Sequence, residues 1–324
     1  MKDMTPEYLD VRVVERRMEA CDVAAFRLVS ERSELPLPSF DAGAHIDVLL
    51  PTGKVRQYSL SNCSDRPGVF EIAVKLEQSS GGGSRWLHEE VFEGAKLKIS
   101  PPRNHFPLHS GSSRSILLAA GIGITPIIAM MRAHLRDRRP YELHYFARGG
   151  QLAAYRSALL RESPGDSATI HLGLDANLTG KVLDQVIAGR ADDHLYFCGP
   201  PGFMAAVRAL AEERMPGENI HFEYFAAPKE PRNDAVCEFE VELARSYKTL
   251  VIPADKSITD VLFEHDVAID TSCESGICGS CKVKVLAGTP HHLDEVLSPS
   301  ERARNDCLLP CVSRALSGRL VLDL

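Results

Sequence analysis

Thr271-Ser-Cys-Glu-Ser-Gly-Ile-Cys-Gly-Ser-Cys-Lys282 sets Cys273, Cys278 and Cys281 in a C-x4-C-x2-C run, and Cys311 follows downstream in Leu309-Pro-Cys-Val-Ser-Arg314. This is plant-type [2Fe-2S] spacing: three thiolates on one short loop wrap one side of a small cluster, and a fourth from a distant segment closes it. Gly276 and Gly279 fit such a loop, because a residue without Cβ lets backbone N–H groups approach sulfur and tune its potential. Structural zinc more commonly takes two matched C-x2-C pairs. Disulfide frameworks belong to small secreted chains, and nine cysteines over 324 residues are not one. Spacing alone leaves the fourth ligand open between Cys307 and Cys311. Cys21, Cys63, Cys198 and Cys237 read as small buried residues or single-site groups.

The length predicts two or three domains of about 100 residues each. The longest uncharged run, Ser115 to Met131, is broken by glycines and proline and is too short to cross a bilayer, so no membrane segment is expected. A net charge of -7 with intermixed signs offers no basic stripe for nucleic acid, though it would steer a basic protein partner. Free thiols without a recognisable leader imply a reducing, cytoplasmic setting.

Working back to the start of the chain, short alternating runs from Tyr8 to about Pro107, such as Val69-Phe-Glu-Ile-Ala-Val-Lys75, predict a small antiparallel barrel. The turns between them lie at Pro51-Thr-Gly53 and Arg66-Pro-Gly68. In Arg56-Gln-Tyr-Ser-Leu-Ser61 an extended backbone places Arg56 and Tyr58 on one face and Gln57 and Ser59 on the other. A guanidinium there can clamp a phosphate and a tyrosine ring can cover a flavin, although for so short a motif taken alone a solvated arginine and a half-buried tyrosine are the better explanation. Ser79-Ser-Gly-Gly-Gly-Ser-Arg85 precedes a helix expected from about Trp86, and backbone N–H groups at a helix start form an anion site. Arginine and glycine loop together point to flavin mononucleotide.

Between Ser115 and Tyr224 buried runs alternate with helical stretches, which predicts a parallel sheet with crossover helices. The first run enters Ala120-Gly-Ile-Gly-Ile-Thr-Pro126, where Thr125 is expected to cap a helix with Pro126 at its first position. Gly121 and Gly123 would admit a pyrophosphate, although Pro126 stands where a dinucleotide fingerprint has its third glycine. A second glycine turn, Cys198-Gly-Pro-Pro-Gly202, follows another buried strand, and Arg148 is a candidate for the adenosine end. Beyond a polar linker at Ala226 to Asp234, a hairpin precedes a helix opened by a capping box at Ser257-Ile-Thr-Asp260. Ile258, Val261, Leu262 and His265 are its expected buried stripe. The adjacent His291 and His292 read as a solvated turn rather than metal ligands.

Together with Ala42-Gly-Ala-His45, Ala73-Val-Lys75, Gly82-Gly-Ser84, Pro102-Arg-Asn-His-Phe-Pro-Leu108 and His221-Phe-Glu-Tyr-Phe225, these motifs resemble the phthalate dioxygenase reductase family over nearly the full length. The resemblance implies a multidomain chain: an antiparallel β-barrel FMN domain over 1–108, an α/β NAD-binding domain over 109–227, a linker at 228–235 and an α+β (β-grasp) [2Fe-2S] ferredoxin domain over 236–324. It implies that Arg56, Gln57, Tyr58, Ser59, Ala73, Val74, Lys75, Gly82, Gly83 and Ser84 hold FMN. Phe225 would cover the flavin ring. Gly121, Gly123, Thr125, Pro126, Arg148, Cys198, Gly199 and Pro200 would receive NADH, with Cys273, Cys278, Cys281 and Cys311 as iron ligands. Gly81 stands where family members can carry arginine. The implied activity is transfer of electrons from NADH through FMN and the cluster to a Rieske oxygenase of an aromatic-ring dioxygenase system, with no general acid or nucleophile and a monomeric chain. An O-demethylase or other monooxygenase as acceptor would use the same machinery, and a redox-sensing binding protein is the reading from a different class.

Overall fold

A computed structural model describes residues 8–63, 68–77, 82–109, 114–163, 165, 167–187, 192–225, 238–271 and 273–324. The expected turn at Arg66-Pro67, the loop residues Ser79 to Gly81 and the linker at Ala226 to Asp234 lie outside these described residues. Among the described residues no helix is long and apolar enough to cross a membrane. The chain divides into two compact units, Met1–Phe225 and Ala226–Leu324.

The first unit begins with β1 (Leu9–Ala20), β2 (Val23–Ser30), β3 (Ala44–Leu49), β4 (Val55–Ser59), β5 (Val69–Lys75), helix α1 (Gly83–Glu90), β6 (Lys96–Ile99) and β7 (Arg103–Asn104). Strands β4-β3-β6-β1-β2-β5 form one antiparallel sheet, with β7 on β3. The sheet curls until a lone antiparallel bridge between Leu60 and Ile72 brings its two edges together. Alternation decides the inside: Val11, Val13, Phe26, Leu28, Ile46, Val48 and Ile72 are fully buried, and Leu87 of α1 plugs one end. Helix α1 starts three residues earlier than its apolar residues imply, because Gly82 at φ +89° turns the chain directly into it.

The unit continues with β8 (Arg114–Ala120), α2 (Ile124–Asp137), β9 (Tyr141–Ala147), α3 (Arg156–Glu162), β10 (Ala168–Leu172), α4 (Ala176–Val186), β11 (Asp193–Cys198), α5 (Pro201–Arg214) and β12 (Ile220–Glu223). The sheet is wholly parallel in the order β10-β9-β8-β11-β12. The strand order therefore reverses between β8 and β11, and in such sheets ligands settle in the crevice beyond the carboxyl ends of the strands at that point. Helix α2 is not capped by Thr125. A 3-10 turn over Gly121–Gly123 runs straight into it, Gly123 holds the capping position, and the buried Thr125 hydroxyl donates to the Ile122 carbonyl at 3.1 Å.

The second unit comprises β13 (Phe239–Leu243), β14 (Lys248–Ile252), α6 (Ile258–Glu264), β15 (Val283–Ala287), β16 (Pro290–His291), α7 (Pro299–Arg304), β17 (Cys307–Leu308), β18 (Arg314–Ala315) and β19 (Arg319–Leu322). The order β14-β13-β19-β15-β17 places β19 parallel to β13, with the other pairs antiparallel. Both arms of the Ser257–Asp260 capping box form, and Ile258, Val261 and Leu262 are buried. Each such side chain contributes about 1.5–3 kcal/mol. His265 does not join them. The helix ends at Glu264, so the next stripe position falls on an exposed turn.

Candidate functional site

The flavin-type motif lies along β4. Gly83 packs so tightly beneath Arg56 that a Cβ there would stand 2.9 Å from Arg56 Cγ, which brings the guanidinium against the first turn of α1. Among the described residues Arg56 has no carboxylate partner and donates only to the Val55 carbonyl at 2.8 Å. No side chain caps α1, so its first N–H groups remain available to an anion. Gln57 Nε2 is buried and has no partner among the described residues. Burial raises the Tyr58 phenol to about 12, so it stays protonated at neutral pH. Ala73 and Val74 are buried on β5; Lys75 pairs with Glu77 at 2.6 Å, and the buried Ser84 hydroxyl accepts the Glu77 N–H at 3.1 Å. An uncapped helix start, an uncommitted guanidinium and an unpartnered amide fit a flavin phosphate and a polar ring edge.

At the carboxyl ends of β8 and β11 the two glycine turns interlock. A Cβ on Gly123 would overlap the Cys198 carbonyl, and one on Gly199 would stand 2.8 Å from Phe203 and 2.9 Å from Ala120. Gly121, at φ +55°, has open space where its Cβ would be. Pro126 is buried in α2, whereas Pro200, Arg148 and Phe225 are exposed, Arg148 at the end of β9. The two turns and Arg148 therefore lie at the carboxyl edge of the sheet where a dinucleotide binds.

Barrel and parallel layer meet at Ser59, whose hydroxyl donates to Glu223 at 2.9 Å. Glu223 is paired in register with Cys198. Burial, then the Glu223 charge, pushes the Cys198 thiol far above its ordinary range. His45, almost wholly buried, places Nδ1 3.9 Å from Glu223 and stacks on His105. Burial, then Arg103 and His105, depresses its pKa to about 3 and keeps it neutral. Sequence reading assigned no role to Glu223 or His45. The signal was the carboxylate at the end of its strand, but only register sets it opposite Cys198.

In the second unit Cys281 Sγ lies 3.3 Å from Cys311 Sγ, and the Cys273 thiol hydrogen-bonds the Cys278 sulfur. Among the described residues no three potential ligands converge as they would around a single metal ion. Two thiol pairs, rather than one convergent set, fit a dinuclear cluster in which each iron takes two cysteines. Backbone N–H groups of Ser275 and Ile277 face the Cys273 sulfur. The Cys281 sulfur and then burial push the Cys311 thiol up while Cys281 itself is lowered, and Cys273 and Cys278 divide in the same way, so one thiol of each pair holds the proton that a bound cation would displace. A Cβ on Gly279 would stand 3.2 Å from Val296, and Gly276, at φ +71°, leaves no room for one beside Val312. Cys307 packs in the same apolar cluster as Cys281 and Cys311, but its thiol bonds Asp306 rather than a cysteine; burial raises it, and the charges around it are Lys282, Asp306 and Glu301. His292 bonds Asn305 at 3.2 Å and is half-buried rather than solvated.

Comparison with known proteins agrees with this architecture. Residues 241–316 match the 2Fe-2S iron-sulfur cluster binding domain, and residues 117–209 match the oxidoreductase NAD-binding domain. Vanillate O-demethylase oxidoreductase of Pseudomonas putida is 43% identical over 98% of this chain and 100% of its own length. The protein of that name from Acinetobacter baylyi is 39% identical over 98% and 99%. Among solved structures, a phthalate dioxygenase reductase, described as a modular structure for electron transfer from pyridine nucleotides to [2Fe-2S], overlays with a TM-score of 0.71 at 36% identity and covers 98% of both chains. An intact type IV self-sufficient cytochrome P450 monooxygenase overlays at 0.85 and 33%, covering 98% of this chain and 41% of that one. Fold and cysteine pairs define a modular oxidoreductase, the reductase component of an oxygenase system. The chain belongs to the phthalate dioxygenase reductase family.

Proposed function

We propose that this protein oxidises NADH and delivers electrons singly to a Rieske-type oxygenase acting on an aromatic substrate. When bound, FMN exchanges a hydride for single electrons and the [2Fe-2S] cluster relays them. The chain's own residues bind and align. Arg56 and the first turn of α1 hold the flavin phosphate with Lys75 and Ser84, while Gln57, Tyr58, Ala73 and Val74 line the ring pocket. Gly121, Gly123, Gly199 and Pro200 admit the pyrophosphate of NADH beside Thr125, and Arg148 takes the adenosine end. Phe225 guards the ring. Cys273, Cys278, Cys281 and Cys311 ligate iron. Ser59 and Cys198 stay protonated at the meeting point, and Glu223 orients Ser59.

The observation that carries this reading is the Ser59–Glu223 bond, which joins the flavin-type strand to the strand beside the nucleotide turns within one compact unit. Anaerobic titration with NADH tests it: a bleached flavin followed by a reduced-cluster spectrum is expected, and a chain that NADH does not reduce refutes it. For the acceptor, the relatives named vanillate O-demethylase oxidoreductase favour a second reading, in which the oxygenase removes an aryl methyl ether rather than dihydroxylating a ring. Reconstitution with oxygenases of both kinds, scored by product, separates the two.

A further inference from the structure

Glu71, on β5, is a buried carboxylate that the chemistry above leaves unused. Its side chain is 5% exposed, and groups from both layers converge on it. From the barrel come Arg17 at 2.9 Å, Arg27 at 3.5 Å and the Ser61 hydroxyl at 3.1 Å. From the parallel layer come the Tyr155 hydroxyl at 3.3 Å and Arg132 at 3.9 Å. The Tyr155 hydroxyl also bonds Ser61 Oγ at 2.8 Å. Arg132 Nη1 donates to the Ser61 carbonyl at 2.9 Å, while its other nitrogens bind both oxygens of Glu162. Burial would raise the Glu71 pKa, but Arg17, Arg132 and the Ser61 hydroxyl together outweigh it and hold the carboxyl below its ordinary range.

Two further facts give this network direction. Tyr155 is wholly buried with φ at +59°, a backbone conformation that a side-chain-bearing residue keeps only where its surroundings over-determine it. Ser61 lies two residues beyond Ser59, so the segment continuing β4 is gripped by the parallel layer at both ends, by Glu223 and by Tyr155 with Arg132. A polar cleft of about 860 Å³, lined by Arg17, Glu71 and Arg132 among others, opens on this side. Directional bonds therefore add to the apolar seam of Ala25, Ala73 and Tyr155 in setting the alignment there.

We propose that Glu71, with Tyr155 and Arg132, is a positioning residue for hydride transfer: the three hold Ser59 to Ser61 and thereby fix the flavin-binding strand against the nicotinamide-binding edge. This rests on the function proposed above. The test uses the full-length, FMN-loaded protein with Glu71→Gln, which keeps volume and removes charge, and Tyr155→Phe, which removes one hydroxyl. Single-turnover flavin reduction by NADH, the NADH dissociation constant and amide exchange over residues 55–62 are measured. We expect NADH affinity within about twofold of wild type, flavin reduction slower by about tenfold in Glu71→Gln and about threefold in Tyr155→Phe, and faster exchange in both. Unchanged reduction rates and exchange in both variants overturn the proposal. So does a loss confined to FMN content, with the wild-type rate per bound flavin. If Glu71→Gln does not fold, Tyr155→Phe decides alone. A wild-type protein that NADH fails to reduce overturns the functional reading, and this proposal with it, so the two failures are distinguishable.

Discussion

The Ser59 hydroxyl and the Glu223 carboxylate, 164 residues apart in the chain, meet at 2.9 Å and bind the end of β4 to the end of β12. A hydrogen bond to a charged acceptor contributes about 1.5–3 kcal/mol. Ser59→Ala should therefore slow flavin reduction, per bound FMN, by about tenfold or more. Stopped-flow reduction at saturating NADH measures this, and a wild-type rate would exclude Ser59 from the transfer site.

Arg56→Ala should loosen FMN and leave the cluster intact, because it removes a charge-assisted phosphate contact worth about 1.5–3 kcal/mol. Retained flavin after dialysis against buffer is the readout. Equal retention in variant and wild type would place the phosphate elsewhere.

The two late cysteines are expected to behave oppositely. Cys311, with its sulfur 3.3 Å from Cys281, should on replacement by serine lose or degrade the spectrum of the reduced cluster. Cys307→Ser should keep a near-normal spectrum and cytochrome c reduction, since its thiol, although packed in the same apolar cluster as Cys281 and Cys311, hydrogen-bonds Asp306 rather than another cysteine. FMN and its reduction by NADH should survive in both. A cluster that persists in Cys311→Ser and vanishes in Cys307→Ser reverses the ligand assignment.

Gly123→Ala forces a methyl group into the Cys198 carbonyl. Overpacking of this kind costs about 1–3 kcal/mol, and here it separates the two nucleotide turns. The variant should unfold at lower temperature and bind NADH more weakly with FMN content unchanged. Wild-type NADH affinity would show that the turns need not touch.

Acid should destabilise the first unit. Burial, with Arg103 and His105, lowers His45 to about 3; burial, with Arg139, lowers His134 to about 4; and burial, with His194 and His109, lowers His221 to about 4. In the unfolded chain these imidazoles titrate near 6.5, so below that pH the unfolded state takes up more protons. The stability present above about 6.5 is lost as pH falls toward 4, by up to about 1.4 kcal/mol per pH unit for each group. Denaturation at pH 7.5 and 5.0 measures it. His134→Leu, which removes a ring whose nitrogens have no partner among the described residues, should reduce the pH dependence. An unchanged slope would mean that His134 does not contribute.

The parallel layer and the cysteine loop were legible because each rests on local signals: apolar runs ending in glycine turns, and thiol spacing. The barrel was legible as alternation, but its closure through Leu60 and Ile72 was not, since a lone bridge carries no pattern. The reading of Thr125 as a cap failed because composition at a helix start cannot reveal a preceding 3-10 turn. His265 failed because periodicity continues in sequence past the residue where the helix stops. Glu71 and Tyr155 gave no signal, and Glu223 only that of a carboxylate at a strand end, because their partners are brought to them by pairing and crossover connections rather than by neighbouring residues.

In the second unit β13 lies beside β19, although residues 244–318, with every cysteine of the cluster loop and Cys311, run between them. Closing so long a loop is entropically costly, whereas the β13–β14 hairpin is local, so the hairpin should form early and the central parallel pair late. Anything that ties Cys281 to Cys311 shortens the stretch that must be searched before β19 finds its place. Iron–sulfur assembly and sheet completion should then be a single cooperative event, and chelating the metal from the finished protein should unzip the sheet from its middle rather than from its rim.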